Sequence, residues 1–277
     1  VPQGAEFRER YGPWALVTGA SSGIGEAFAR EIASRGVNLV LVARRSDRLV
    51  RLARGLQDAH SIEAIAVEAD LCARDFLAPI EAACAGKDIG LVVSNAGFGL
   101  KGPHAEQDAG RLDAMLAVNA RAPMHLARAF APGLAKRGRG GLLFTGSMEG
   151  FFGFPWSAAY SATKAFVLSL GESLWVELRT QGVDVLVLAP GATDTEALTS
   201  QGFRAEDLPG LMQPGEVARL ALDRIRRGPT YVSGAMNRWS TRFLRLLPRS
   251  LAVRLVGATM RRAIGSASDD GEPTPKR

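Results

Sequence analysis

Seven short apolar runs, separated by longer segments of helical period, set the pattern of this chain. Ala15–Thr18, Leu39–Ala43, Ala64–Glu68, Leu91–Ser94, Leu142–Thr145 and Val183–Ala189 are nearly continuous in apolar residues, and the short Thr230–Val232 is β-branched and aromatic. That is the composition of strands covered on both faces, as in a parallel sheet. Between them, Glu26–Ser34, Asp47–Leu56, Ala109–Lys136 and Ser157–Gln181 carry apolar residues at three- and four-residue spacing and read as helices. Right-handed crossovers between such units predict an α/β fold, a doubly wound, mostly parallel seven-stranded sheet with helices on both faces. Ligands of such a sheet lie at the carboxyl ends of its strands. The polar segment Val1–Pro13 is expected only to lead into the first strand.

Composition narrows the class. With 277 residues, 47% of them hydrophobic and 22% charged, the chain can bury one sizeable core, so residues 1–236 are expected to form an undivided domain. Cys72 and Cys84 have neither the number nor the setting of a disulfide framework or zinc site and read as reduced packing residues. His60, His104 and His125 lack metal-ligand spacing, so no metal is expected. Nothing near residue 1 has the pattern of a signal peptide and no apolar run approaches 18 residues, which points to a cytoplasmic protein.

The net charge of +6 is concentrated in residues 237–266. Arg238, Arg242, Arg245, Arg249, Arg254, Arg261 and Arg262 stand there without an acid before Asp269. Removing these seven from the 34 Lys and Arg leaves 27 against 28 Asp and Glu. Leu251, Leu255 and Ala258, with Ala252, Val256 and Thr259 alongside, mark a helical stripe behind Pro248. A basic amphipathic helix of this kind can lie on an anionic membrane as a peripheral contact. The preferred reading is that it packs on its own domain or a neighbouring subunit with its arginines in water. No nucleic-acid reading motif accompanies the charge. Residues 267–277 are small, acidic and proline-rich and read as a disordered tail.

Two motifs carry the chemistry. Thr18-Gly19-Ala20-Ser21-Ser22-Gly23-Ile24-Gly25 joins the first strand to a helix start, an arrangement that turns backbone N–H groups and a helix dipole towards a pyrophosphate. Further on, Tyr160 and Lys164 lie one helical turn apart. An ammonium about 4 Å from a phenolic oxygen favours the phenolate by roughly 4 kcal/mol at an effective dielectric near 20. That amounts to about three pKa units, enough to make the tyrosine a workable acid or base.

With Asp70 after the third strand, Asn95-Ala96-Gly97 after the fourth, Asn119 in the next helix, Ser147 thirteen residues before Tyr160, and Pro190-Gly191 with Thr195, the chain resembles the short-chain dehydrogenase/reductase family from about Trp14 to Val232. Ser94, where the family often has asparagine, and Ser22, where many NADP enzymes carry a basic residue, are minor departures. The resemblance implies a Rossmann-like fold and a site in which Ser147 and Tyr160 bind a substrate carbonyl and Tyr160 moves its proton. It also implies that Lys164 acidifies the phenol and holds the nicotinamide ribose. Asn119 would sit at a helix irregularity and hold a water linking Lys164 to solvent.

The same resemblance places a dinucleotide against Gly19, Ser21, Ser22, Gly23, Ile24 and Gly25, with Asp70 and Leu71 flanking the adenine. Asn95, Ala96 and Gly97 would follow the adenosine ribose, and Pro190, Gly191, Thr193 and Thr195 the nicotinamide. It further suggests a homodimer or homotetramer built on the helices around 109–136 and 157–181. Where NAD-binding relatives carry an acid, this chain has Ala43-Arg44-Arg45, with no carboxylate before Asp47. A guanidinium suits a 2′-phosphate, so the expected cofactor is NADP(H), held by Arg44 first and Arg45 second. Phe98, Phe152, Phe154 and Trp156 are expected to line an apolar pocket for a lipid-like, steroid-like or aryl carbonyl compound or its alcohol, with Glu149 disfavouring anionic substrates. Residues 195–212 are expected to form a lid. The competing reading is a non-catalytic NADP(H)-binding redox sensor on the same fold.

Overall fold

The computed structural model of the protein describes residues 3–199 and 210–269. Seven strands, β1 (Trp14–Thr18), β2 (Asn38–Ala43), β3 (Ala64–Glu68), β4 (Ile89–Ser94), β5 (Gly140–Thr145), β6 (Val183–Ala189) and β7 (Thr230–Val232), form one sheet in the order β3-β2-β1-β4-β5-β6-β7. Every neighbouring pair is parallel. All seven strands fall within a few residues of their expected positions; the five inner ones are buried on both faces and have to be apolar almost throughout, while the edge strands β3 and β7 are partly exposed.

The pleat divides the core into two layers. Along β1, Ala15 and Val17 face one side and Trp14 and Leu16 the other. The first layer is closed by α2 (Gly23–Ser34), α3 (Ser46–His60) and α9 (Pro214–Arg224), the last preceded by the short α8 (Glu196–Thr199), through Phe28, Ile32, Leu49, Leu56 and Val217. The second is closed by α4 (Leu77–Cys84), α6 (Ala122–Arg137) and α7 (Ala158–Arg179) through Ile80, Leu126, Leu134, Val167 and Leu178. Strand order reverses between β1 and β4, so a cleft opens there at the carboxyl ends of the strands.

Three expectations need correction. The segment before β1 is a helix, α1 (Gln3–Tyr11), which buries Phe7 and Tyr11. Arg10 Nε and Tyr11 Oη both donate to Asp184 Oδ2, the latter at 2.7 Å. Burial and Asp184 together raise the Tyr11 phenol.

The helix expected over Ala109–Lys136 is interrupted. α5 (Ala109–Leu116) passes into a wide π turn, Ala117–Arg121, before α6 begins. The basic extension is two helices, α10 (Ala235–Leu246) and α11 (Arg249–Asp269), parted at Leu247-Pro248. The stripe on α11 is split: Ala252 and Val256 are buried, whereas Leu251, Leu255, Ala258 and Thr259 are exposed. Most of the expected lid and tail, residues 200–209 and 270–277, lies outside the described residues.

Candidate active site

The cleft at the strand ends has a volume of about 680 Å³, within the range of small-molecule sites. Its first wall is the β1–α2 turn. Gly19 and Gly23 both adopt positive φ, at 68° and 58°, a conformation that favours glycine. Gly25 lies behind the wall: a Cβ there would fall 2.1 Å from the Gly19 carbonyl oxygen and 2.5 Å from Asn95 Nδ2. The turn is tied to β4 by Thr18. Its Oγ1 accepts from the backbone N–H groups of Asn95 and Ala96 at 3.0 and 3.2 Å, while Asn95 Nδ2 donates to its carbonyl. The helix N-terminus therefore opens directly into the cleft, a ready site for an anionic diphosphate.

At the end of β2 the two arginines differ. Arg44 is exposed on the cleft wall. Arg45 donates to Ser21 Oγ at 3.2 Å and to Ser22 Oγ, and forms an ion pair with Glu196 at 2.8 Å. Arg48 pairs with the same carboxylate. The two guanidiniums hold the Glu196 carboxyl well below its usual range, near 2. Two guanidiniums thus converge on one negative group at this corner, with the Ser21 and Ser22 hydroxyls accepting from Arg45 beside it. Asp70, Leu71, Ala96, Gly97, Pro190, Gly191, Thr193 and Thr195 all line the same cleft, as do Ser21, Ser22 and Ile24.

The opposite end holds Ser147, Tyr160 and Lys164 together. Ser147 follows β5 and is fixed where Gly146 N–H donates to the Leu188 carbonyl and Met148 N–H to that of Pro190. Its Oγ accepts from Glu149 N–H at 3.1 Å. Lys164 is buried on α7, its Nζ 2.8 Å from the Thr145 carbonyl and 5.6 Å from the centre of the Tyr160 ring.

This geometry overturns the expected electrostatics. The ammonium points to Thr145, and the Tyr160 phenol is raised by burial and then by Glu149, with the Ser147 hydroxyl acting the other way. Burial brings Lys164 down to about 8, against a smaller raising effect of Glu149. Asn119 sits on the π turn behind this group, not on the cleft wall. Its Nδ2 donates to the Phe98 carbonyl at 2.8 Å and to Thr163 Oγ1 at 3.1 Å, and its Oδ1 accepts from Phe98 N–H. The expected helix irregularity is present.

Among the aromatic residues, Phe98 and Phe154 line the cleft, but Phe152 and Trp156 do not. They lie under the extension, with Arg249 over the Phe152 ring at 5.5 Å and Arg261 over Trp156 at 5.0 Å. Arg245 covers Phe151 at 5.6 Å, so these arginines stay exposed, as expected, while they also stack on the aromatic loop.

Glu149 also differs from expectation. Lys101 Nζ lies 2.6 and 2.8 Å from its two carboxylate oxygens and 2.8 Å from Ser157 Oγ. The pair leaves little net charge to repel an anionic substrate. Lys101 was not apparent in the sequence, because a lysine after a turn looks like any surface charge. Asn237, Thr259 and Met260 of the extension also line the cleft; the sequence marked Thr259 only as part of a helical stripe and the other two not at all.

Comparison with known proteins agrees with this arrangement. The family model for short chain dehydrogenase matches residues 13–204. A 7beta-hydroxysteroid dehydrogenase of Clostridium sardiniense is 30% identical over 84% of this chain and 89% of its own length. A very-long-chain 3-oxoacyl-CoA reductase of Bos taurus is 33% identical over 65% of this chain and 59% of its own. The solved structure of a short-chain dehydrogenase from Sphingobium yanoikuyae in complex with NADPH superposes with a TM-score of 0.76 at 32% identity, covering 96% of this chain and 98% of that one.

Proposed function

The chain belongs to the short chain dehydrogenase family, and from that premise we propose that it is an NADP(H)-dependent oxidoreductase interconverting an apolar ketone or aldehyde and its alcohol. The observation that carries the proposal is the convergence of Ser147, Tyr160 and Lys164 at one end of a cleft whose other end is a helix N-terminus flanked by arginines. A binding module has no need of a phenol and a buried amine at such a place.

The residues present fit an NADP dinucleotide. The Gly19–Gly25 turn leaves open the space that side chains would fill, and Arg44, Arg45, Ser21 and Ser22 supply donors for a 2′-phosphate. When bound, the nicotinamide supplies or accepts a hydride. Ser147 and Tyr160 orient the substrate oxygen and stabilise the negative charge that grows on it. Tyr160 gives that oxygen its proton. A phenol kept protonated by burial and Glu149 is ready to donate, and an alkoxide is a far stronger base than a phenolate. Lys164, still mainly cationic at neutral pH, lies beneath the Tyr160 ring and within the same cleft, placed to bind ribose hydroxyls. Asn119 braces the Phe98 loop against α7.

Phe98, Phe154 and Met260 make the remaining cleft apolar, which supports a bulky, lipid-like or steroid-like carbonyl compound. The hydroxysteroid dehydrogenase and 3-oxoacyl-CoA reductase relatives support the same class. The test is NADPH consumption against a panel of apolar ketones, with Tyr160→Phe as the control. Turnover in the native chain, lost by a factor of about 10² to 10⁴ in the variant while NADPH still binds, is expected. Tight NADPH binding without turnover across the panel would favour the redox-sensor reading instead.

A further inference from the structure

We propose that α10 docks the protein onto anionic lipid bilayers through the exposed face formed by Met236, Trp239, Phe243 and Leu246. Asn237 and Thr241 are buried against the body of the protein. At 100° per residue, Met236, Trp239, Phe243 and Leu246 fall on the side of the helix turned away from them. These four are 55%, 72%, 60% and 85% exposed. Four large apolar side chains in one outward stripe are more than the scattered exposure normal for a water-soluble surface.

Charge identifies the occupant. Arg238, Arg242 and Arg245 lie along one flank of the stripe, and from Asn237 to Ser268 the chain has no acid. A second copy laid face to face would bring arginine rows together with no carboxylates from these helices to compensate, a costly juxtaposition. An anionic bilayer supplies the opposite charge beside an apolar interior, and tryptophan is suited to the headgroup level. Among the described residues no helix is long and apolar enough to cross a membrane, so α10 would lie along the surface.

Anchorage to the body is firm. Arg249 donates to the Phe151 carbonyl at 3.0 Å, and the cation–π stack on Phe151 and Phe152 joins both helices to the loop after Ser147. Asn237 of the docking helix also lines the cleft, so docking would hold one cleft wall against lipid.

The test is co-sedimentation of the full chain with phosphatidylcholine vesicles, with and without phosphatidylserine, at low ionic strength. It needs no turnover and therefore stands or falls apart from the enzymatic reading. The native chain is expected to pellet with the phosphatidylserine vesicles and to be released by salt. Trp239→Ser with Phe243→Ser should lower partitioning about twentyfold, and separately Arg242→Gln about fivefold, without changing the melting temperature, taking roughly fivefold per surface arginine. Three results would overturn the proposal: a native chain that stays in the supernatant, variants that pellet like the native chain, or a vesicle-free dimer that the Trp239→Ser with Phe243→Ser change dissociates.

Discussion

Replacing Glu149 by glutamine and Lys101 by methionine should move the pH–rate profile in opposite directions. The two side chains pair at 2.6 and 2.8 Å and are only 19% and 10% exposed. Glu149 is one of the groups that raise the Tyr160 phenol. Lys101 Nζ lies 5.0 Å from the centre of the Tyr160 ring. In the Glu149→Gln variant that ammonium is left uncompensated. Taking this ring distance as the separation of the two charges, at an effective dielectric of about 20 the ammonium favours the phenolate by about 3 kcal/mol, or some two pKa units. Solvent at the cleft mouth reduces this to about one unit.

On the proposed mechanism Tyr160 accepts a proton in alcohol oxidation, so kcat/KM should rise with pH through the phenol's titration. Glu149→Gln should shift that limb to lower pH by about one unit, and Lys101→Met should shift it to higher pH by a similar amount. The double variant should return it close to the native position, because the pair contributes little net charge. Profiles of kcat/KM for alcohol oxidation across the alkaline range make the comparison. If the single variants move the limb the same way, or neither moves it, the electrostatic assignment of Glu149 and Lys101 is wrong.

Three further outcomes follow from the geometry. Glu196→Gln removes the carboxylate that holds Arg45 and Arg48, so titration calorimetry should find NADPH bound about two- to fivefold more tightly, with NADH unchanged. Gly25→Ala would set a methyl 2.1 Å from the Gly19 carbonyl oxygen; the chain should lose about 1–3 kcal/mol of stability in urea melts and bind the dinucleotide poorly. Lys164 is lowered to about 8 from an ordinary 10.5, so between these values the unfolded chain binds more protons and stability rises with pH. Urea melts of the cofactor-free chain should show a gain of about 2 kcal/mol from pH 8 to pH 10, and Lys164→Met should remove that gain.

What the sequence made legible was the half of the site whose chemistry dictates residue type. Gly19 and Gly25 are needed where a side chain would strike neighbouring backbone, and Ser147, Tyr160 and Lys164 follow strands that had to be apolar. Such constraints are local and leave a mark at fixed spacing. Lys101 and Glu149 are 48 positions apart, and only the folded loops after β4 and β5 make them a pair. The same limit hid α1, whose Phe7 and Tyr11 look like isolated aromatics until Asp184 of β6 is placed beside them. It also explains the reversed expectation for Tyr160. A four-residue spacing puts Lys164 on the same side of α7, but the Thr145 carbonyl, supplied by β5, decides where its ammonium points.

The two halves of the cleft answer to different parts of the chain, and this bears on where specificity resides. The floor of the cleft is built from strand termini locked by hydrogen bonds, backbone to backbone at Gly146 and Met148 and through Thr18 Oγ1 at Asn95. Changes there strike the framework itself. The substrate end is closed by Phe98, Phe154, Thr259 and Met260, two from loops and two from α11. α11 reaches that position because Arg249 and Arg261 stack on Phe152 and Trp156, and because Gly257 lets it approach Pro155, where a Cβ would stand 2.9 Å from Pro155 Cγ. These contacts involve none of Ser147, Tyr160 and Lys164. Exchanges of Thr259 or Met260 on the extension should therefore reshape the substrate end while leaving Ser147, Tyr160 and Lys164 in place.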